Sequence, residues 1–152
     1  MKAGGLSKVE MQECRDRIED SLFAVKAALD EGYVVGGGYA LLRAAQEMEV
    51  ETENEDQKLG VDIIRWTCRE PALKIIENAV GDRGKAQVLL SKGLENKSGY
   101  YGFNSSTKQF EELNTTGIID PVKVVKNSLI YGSGAASILL TTEISIVNAS
   151  SN

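Results

Sequence analysis

The sequence of 152 residues contains no histidine. This absence excludes Ser-His-Asp and Cys-His nucleophilic catalysis, together with the acid–base schemes that depend on an imidazole. Any chemistry that the chain performs would have to rest on carboxylates, lysines or a bound metal ion.

Cysteine is almost as scarce, since the chain has two such residues, Cys14 and Cys68. They are far apart and neither belongs to a CxxC pair, so they cannot supply the four Cys or His ligands of a standard structural zinc site. We interpret them as reduced thiols in a reducing compartment.

Excess positive charge and long apolar runs are also missing. The net charge of -5 argues against a nucleic-acid partner, because phosphate backbones require a concentrated basic face. No apolar run approaches the roughly 20 residues that span a bilayer, and the first residues lack the apolar centre of a signal peptide. We therefore expect neither nucleic acid nor membrane as a partner, and any targeting segment would lie upstream.

What the sequence does contain is helical periodicity over most of its length. Apolar residues recur at intervals of three and four, which predicts a mainly α fold of one-domain size. In the first helix this rule places Ile18, Leu22, Val25 and Leu29 on one buried stripe. Glycines are expected to end three of the helices, at Gly32, Gly81 and Gly93. The predicted helices cover residues 9–30, 39–48, 59–69, 72–79 and 85–92, with a turn at 33–38 and a polar connector at 51–58.

The last third of the chain has a different texture. Aromatic residues flank a polar Asn-Ser-Ser turn between 98 and 114, which predicts a small β-hairpin. Asp120 followed by Pro121 predicts a helix start, with Asp120 as N-cap, and the helix should run to about residue 142. Alternation over 144–147 predicts one C-terminal strand that has no obvious partner.

Two features could bind a ligand, although each also has a plain structural explanation. The three glycines at 36–38 would let a backbone approach an anion at the start of the next helix, or they form a flexible turn. The sequence at 81–86 only superficially resembles a Walker A loop, because its spacing is wrong and the final hydroxyl is missing.

Three polar side chains have the same ambiguity. Asp20 lies about 200° from the apolar stripe of the first helix, so its carboxylate could meet a metal-bound phosphate, or it pairs with Arg17. Asp120 could accept from a ligand hydroxyl as well as cap a helix. Asn104 could offer its amide to a purine edge, or it is an ordinary turn residue.

Three segments of the chain contain a set of specific motifs in a fixed order. The segments are RIEDSLFAVKAALDEGYVVGGGYALLRAA, GYYGFNSSTKQFEELNTTGIIDPVKVVKNSL and AASILLTTEISIV. Their motifs are an Arg-hydrophobic-Glu-Asp helix, a triple-glycine turn, a Gly-Phe-Asn turn and a Gly-Ile-Ile-Asp-Pro helix start. Together they resemble the C-terminal part of group I (GroEL-type) chaperonins, in order from about residue 9 to residue 147.

The resemblance implies a fold and a division of the chain. Residues 1–31 would be the returning helix of an intermediate domain, and residues 32–152 the C-terminal half of an equatorial, ATP-binding domain. The fold would be a multi-helical bundle of the chaperonin equatorial type, with a small hairpin and a C-terminal strand. The family's phosphate-binding loop, magnesium-binding aspartate and apical domain lie in segments that nothing here resembles.

The same resemblance implies the roles of individual residues. Asp20 matches the aspartate that swings onto the nucleotide, near Mg-ATP, and supports hydrolysis. Gly36 and Gly37 match glycines that lie against the nucleotide, and Asp120 matches a ribose ligand. The remaining matches are adenine contacts, with serines where alanines are usual: Asn104, Ser105, Ser106 and Ile118.

The implied function is ATP-dependent encapsulation and refolding of unfolded proteins, with ATP and Mg²⁺ as cofactors. The implied partners are other subunits in a heptameric ring, a co-chaperonin and unfolded clients. We expect the 152-residue chain to be inactive alone. We expect the protein to reside in a soluble interior compartment, with mitochondrial matrix or plastid slightly favoured over bacterial cytoplasm. Two alternatives stay open, a helical interaction module without nucleotide binding and a small enzyme that uses carboxylates.

Overall fold

A computed structural model describes residues 4–144 and residue 146, and within them six helices and four short strands follow one another. Helices account for most of these residues, so the predicted mainly α fold class is confirmed. The elements are α1 (Lys8–Glu31), β1 (Tyr33–Val35), α2 (Tyr39–Glu47), α3 (Glu55–Thr67), α4 (Glu70–Val80), α5 (Arg83–Leu94), β2 (Tyr101–Asn104), β3 (Gln109–Glu112), β4 (Ile119–Pro121) and α6 (Val122–Leu140).

Local signals set several of the helix ends. The Asn54 side chain accepts from the Gln57 N–H at 2.9 Å, and this cap starts α3 four residues before the predicted start. The Asp82 carboxylate accepts from the Lys85 N–H at 2.6 Å and starts α5, which explains the sequence at 81–86 without any ligand. Gly32 and Gly81, with φ of 84° and 73°, end α1 and α4 as predicted.

Three further predictions about single residues or turns were wrong. Gly93 is a buried residue within α5 and does not end that helix. The first residues of the predicted turn at 33–38 form β1. Asp120 is not an N-cap, because it lies in β4, and Pro121 occupies the cap position without a side-chain hydrogen bond. Pairing with β1 holds Asp120 in an extended conformation, so α6 begins only after Pro121.

The strands form two small antiparallel sheets. In one, β1 pairs with β4, and Val34 lies opposite Asp120. In the other, β2 and β3 form the predicted hairpin, which joins Tyr101 with Glu112 and Asn104 with Gln109. Of the predicted C-terminal strand at 144–147, residues 145 and 147 lie outside the described residues, and Ile144 and Ile146 belong to no strand.

The core lies between α2, α4, α5 and the β2–β3 hairpin. Its members are apolar residues that are almost completely buried, and Tyr39 is among the largest of them. The residues at 36–38 lead directly into this core through Tyr39, and the hairpin contributes Phe103 to it. The core residues are Val35, Tyr39, Leu42, Ala72, Leu73, Ile76, Ala86, Leu90, Phe103 and Leu113.

Helix α1 stands apart from this core and contacts α6 and β4. Three of the four residues of the predicted buried stripe are exposed, Leu22, Val25 and Leu29 at 55%, 60% and 83%. Ile18, the fourth, is half-buried. The alanines at 24, 27 and 28 are half-buried instead. Two ion pairs tie the end of α1 to α6, Asp30 with Lys123 at 3.4 Å and Glu31 with Lys126 at 2.5 Å.

Within the described part of the chain, no helix combines the length and apolar character that crossing a bilayer requires.

Candidate functional site

The glycine turn, Gly36–Gly38, is pressed against the segment that leads into β4. The Gly36 N–H donates to the Ile118 carbonyl oxygen at 2.9 Å. A Cβ atom on Gly36 would lie 3.0 Å from the Ile118 carbonyl carbon and from the Ile119 nitrogen. A larger residue at this position would therefore require the two backbones to move apart by a few tenths of an ångström.

Gly37 and Gly38 have positive φ angles of 66° and 79°. A Cβ atom on Gly38 would collide with the backbone of Ala72, whereas one on Gly37 would meet nothing closer than 3.8 Å. Gly37 is thus the member of the turn with backbone that another molecule can approach, and it is half-buried beside Ile118.

Asp120 lies on the same ladder, opposite Val34. Its carboxylate is half-buried, and burial raises the pKa of that carboxyl above its ordinary value. Among the described residues, no side chain or N–H group bonds to this carboxylate, which leaves it available to accept from a ligand hydroxyl. The β1–β4 pairing therefore brings together Gly36, Gly37, Ile118 and Asp120.

Asn104 lies at the end of β2 and is 6% exposed. Its Nδ2 group donates to the Glu111 carboxylate, and its Oδ1 accepts from the Ser106 N–H at 2.9 Å and, more weakly, from the Thr107 N–H at 3.4 Å. The side chain is thus committed to the hairpin turn, which is the structural role foreseen as the alternative.

The two serines that follow differ in their surroundings. The Ser105 Oγ atom is buried and has no hydrogen-bond partner among the described residues, whereas Ser106 is exposed. A buried hydroxyl without a partner costs roughly 1–3 kcal/mol, so Ser105 is the polar atom of this turn that would gain most from a new partner.

Asp20 is not gathered with the other predicted residues. It is exposed on α1, eleven residues before the helix end (31 − 20), which corresponds to roughly 16 Å of helical rise. Within the described residues it forms no ion pair with Arg17, and no three His, Cys, Asp or Glu side chains cluster as metal ligands.

Tyr39 is a residue of this region whose importance sequence analysis missed. It directly follows the glycine turn, and its hydroxyl oxygen accepts from the Phe103 N–H at 2.9 Å, next to Asn104. An aromatic residue at the first position of a helix looks like ordinary core, and only the fold shows that it contacts the hairpin.

A separate cleft of about 510 Å³ lies between α2, α3, the junction of α3 with α4, and the end of α5. It has an apolar floor, an exposed indole and two guanidinium groups, and none of the predicted site residues lines it. Its lining residues are Leu42, Ala45, Gln46, Asp62, Arg65, Trp66, Arg69 and Leu94.

Comparison with known proteins gives two findings. The model of the TCP-1/cpn60 chaperonin family matches residues 1–150. The fold is similar to the crystal structure of a group III chaperonin in the open state, with a TM-score of 0.77 and 22% sequence identity. The alignment covers 94% of this chain and 30% of that one, so this chain spans less than a third of the length of the protein it matches.

Proposed function

Because the chain belongs to the TCP-1/cpn60 chaperonin family, we propose that it supplies one wall of an ATP site in a machine that encapsulates and refolds unfolded proteins. It would also contribute contacts between the subunits of a ring. ATP hydrolysis would then be coupled to folding by other segments of the family's proteins, which have no counterpart in this chain.

The observation that carries the proposal is the meeting of the glycine turn with the Ile118–Asp120 segment. Phosphoryl transfer depends mainly on positioning and charge stabilisation, so the protein must hold the nucleotide at several points. Gly37 presents approachable backbone against which the nucleotide would lie, Ile118 an apolar surface for the base, and Asp120 an acceptor for a ribose hydroxyl. Bound ATP with Mg²⁺ would supply the phosphoryl group and its neutralising cation.

The hairpin turn would complete the base contact through Asn104, Ser105 and Ser106. The Asn104 amide already donates to Glu111, so the backbone of the turn and the Ser105 hydroxyl are the groups left for the adenine. Asp20 would support hydrolysis as the catalytic carboxylate, and α1 would have to swing towards the glycine turn to deliver it.

The finer assignment within the family is also a proposal. The triple-glycine turn, the Gly-Phe-Asn turn and the Gly-Ile-Ile-Asp-Pro segment favour a group I protein. Such a protein would form a heptameric ring with a co-chaperonin and act on unfolded clients. A mitochondrial matrix or plastid is slightly favoured over a bacterial cytoplasm as its compartment. We propose further that the 152-residue chain alone does not turn over ATP, since nothing in it resembles the family's phosphate-binding loop.

A second candidate function is an interaction module without a nucleotide role. It is favoured by exposed apolar side chains along α1 and α6, such as Leu22, Phe23 and Tyr131. A titration with Mg-ATP separates the two candidates, because an interaction module would not respond to ATP.

We would titrate the ¹⁵N-labelled chain with Mg-ATP and follow its amide signals. We expect shifts at Gly36, Gly37, Ile118 and the hairpin turn. Asp120→Asn should weaken binding by about tenfold, which is the value of one hydrogen bond to a charged group. Asp56→Asn, an exposed site in α3, is the matched control. Equal affinity of both variants, or no response of the parent chain, would refute the site.

A further inference from the structure

We propose that Tyr39 is the positioning residue that holds the hairpin turn, Asn104–Ser106, at a fixed distance from the glycine turn. The inference rests on the proposed function in one respect, namely that these two turns are taken as parts of one nucleotide site. The physical tie between them is independent of any ligand.

On one side Tyr39 contacts the glycine turn. Its N–H donates to the Gly36 carbonyl oxygen at 3.3 Å. Its ring carbon Cδ2 lies 3.8 Å from the position that a Cβ atom on Gly37 would occupy. The residue is only 1% exposed, so its ring cannot move without disturbing these neighbours.

On the other side the same ring reaches the hairpin. The hydroxyl oxygen accepts from the Phe103 N–H at 2.9 Å. Two glycines leave room for the ring, because a Cβ atom on Gly102 would lie 2.8 Å from Cζ and one on Gly93 would lie 3.1 Å from the hydroxyl oxygen. Tyr39 therefore fixes the position of β2, and it does so at Phe103, the residue directly before the hairpin turn.

The hairpin turn is internally bonded, so it should follow Phe103 as a unit. Asn104 donates to Glu111 and accepts from the Ser106 N–H within the turn. A displacement at Phe103 is consequently passed to Ser105 and Ser106 instead of being absorbed between them.

A second bond keeps the hairpin docked when the tyrosine hydroxyl is removed. One turn further along α2, Arg43 Nη2 donates to the Tyr101 carbonyl oxygen at 2.7 Å. Tyr39→Phe should therefore fold while losing the acceptor that fixes Phe103, which makes it a suitable variant.

The first experiment needs no nucleotide. Gly37→Ala perturbs the glycine turn, because φ is 66° there. We expect this change to shift the amide signals of residues 104–107 in the parent chain, and to lose at least about half of that effect in the Tyr39→Phe background. Tyr131→Phe, an exposed site on α6, should leave the effect unchanged. Equal effects in both backgrounds would overturn the proposal.

If Tyr39→Phe does not fold, hydrogen exchange in the chain that keeps Tyr39 still tests the proposal. Gly37→Ala should speed exchange of the Phe103 N–H while the Leu90 N–H in α5 stays protected. An unchanged Phe103 rate would contradict the tie.

The second experiment adds Mg-ATP. In the parent chain both turns should respond, whereas in Tyr39→Phe only Gly36 and Gly37 should, with affinity reduced about threefold to tenfold. If Mg-ATP shifts no signal in the parent chain while the ligand-free coupling persists, the proposed function fails and the positioning role stands. A response of both turns in Tyr39→Phe would refute the positioning role alone.

Discussion

At the scale of single residues, Asp120 combines a half-buried carboxylate with a raised pKa. Burial penalises the charged form, so the folded chain favours the protonated acid more than the unfolded chain does. The stability that protonation confers is present below the ordinary pKa of 3.8 and is lost as the pH rises through the raised value.

We therefore expect Asp120→Asn to be more stable than the parent chain at about pH 7, with the gain shrinking towards zero near pH 4. Urea unfolding of both proteins across this range measures the difference. Asp56→Asn, at an exposed site, should show no comparable gain. A loss of stability at neutral pH in Asp120→Asn would mean that the carboxylate has a partner inside the protein.

Sequence analysis found the residues of the glycine turn but assigned Asp120 the wrong local role. Asp followed by Pro is a strong helix-start signal, and helix α6 does begin beside it. The pairing of β4 with β1 keeps Asp120 in a strand instead, and this pairing depends on residues some 86 positions away (120 − 34). No local pattern could reveal that pairing, or the bond between Tyr39 and the Phe103 N–H.

At the scale of elements, two glycines of helices should respond oppositely to replacement by alanine. Gly38 begins α2 with φ of 79° and lies against the backbone of Ala72 at the start of α4. Gly60 lies inside α3, and a Cβ atom there would meet no other atom within 4 Å.

Gly38→Ala should therefore destabilise the chain by about 2–4 kcal/mol, through backbone strain and the collision with α4. Gly60→Ala should stabilise it by about 1 kcal/mol, because alanine is the better helix former. Thermal unfolding of the two variants beside the parent chain tests both signs. A tolerated alanine at 38 would show that α2 and α4 can separate at little cost.

Helix positions were predictable because periodicity and end signals agree over long segments. Helix α1 was predicted at 9–30 and runs over Lys8–Glu31. Its buried face was not predictable, since the apolar stripe is exposed and the alanines are half-buried. Strands β1 and β4 have three residues each, too few for an alternating pattern to stand out.

At the scale of the whole molecule, α1 leaves an apolar stripe exposed to solvent. Contiguous apolar surface of this kind favours association, because burying it removes its contact with water. We expect the chain to form larger species as its concentration rises, measurable by sedimentation velocity.

Changing Leu22 and Leu29 together to Glu should shift the chain towards monomer. Lys26→Glu on the same helix alters net charge by the same two units and should not, which separates apolar contact from charge repulsion. A compact monomer at every concentration, seen by small-angle scattering, would contradict this role of α1.

The pairing of β1 with β4 also has a consequence for synthesis on the ribosome. The Gly36 N–H obtains its partner only when Ile118 has been translated and has left the exit tunnel. Until then α1 precedes an unclosed loop that contains α2 to α5, and closing that loop carries an entropic cost that grows with its length. The proposed nucleotide wall is thus among the last parts of this chain to assemble, although its first glycines are translated early.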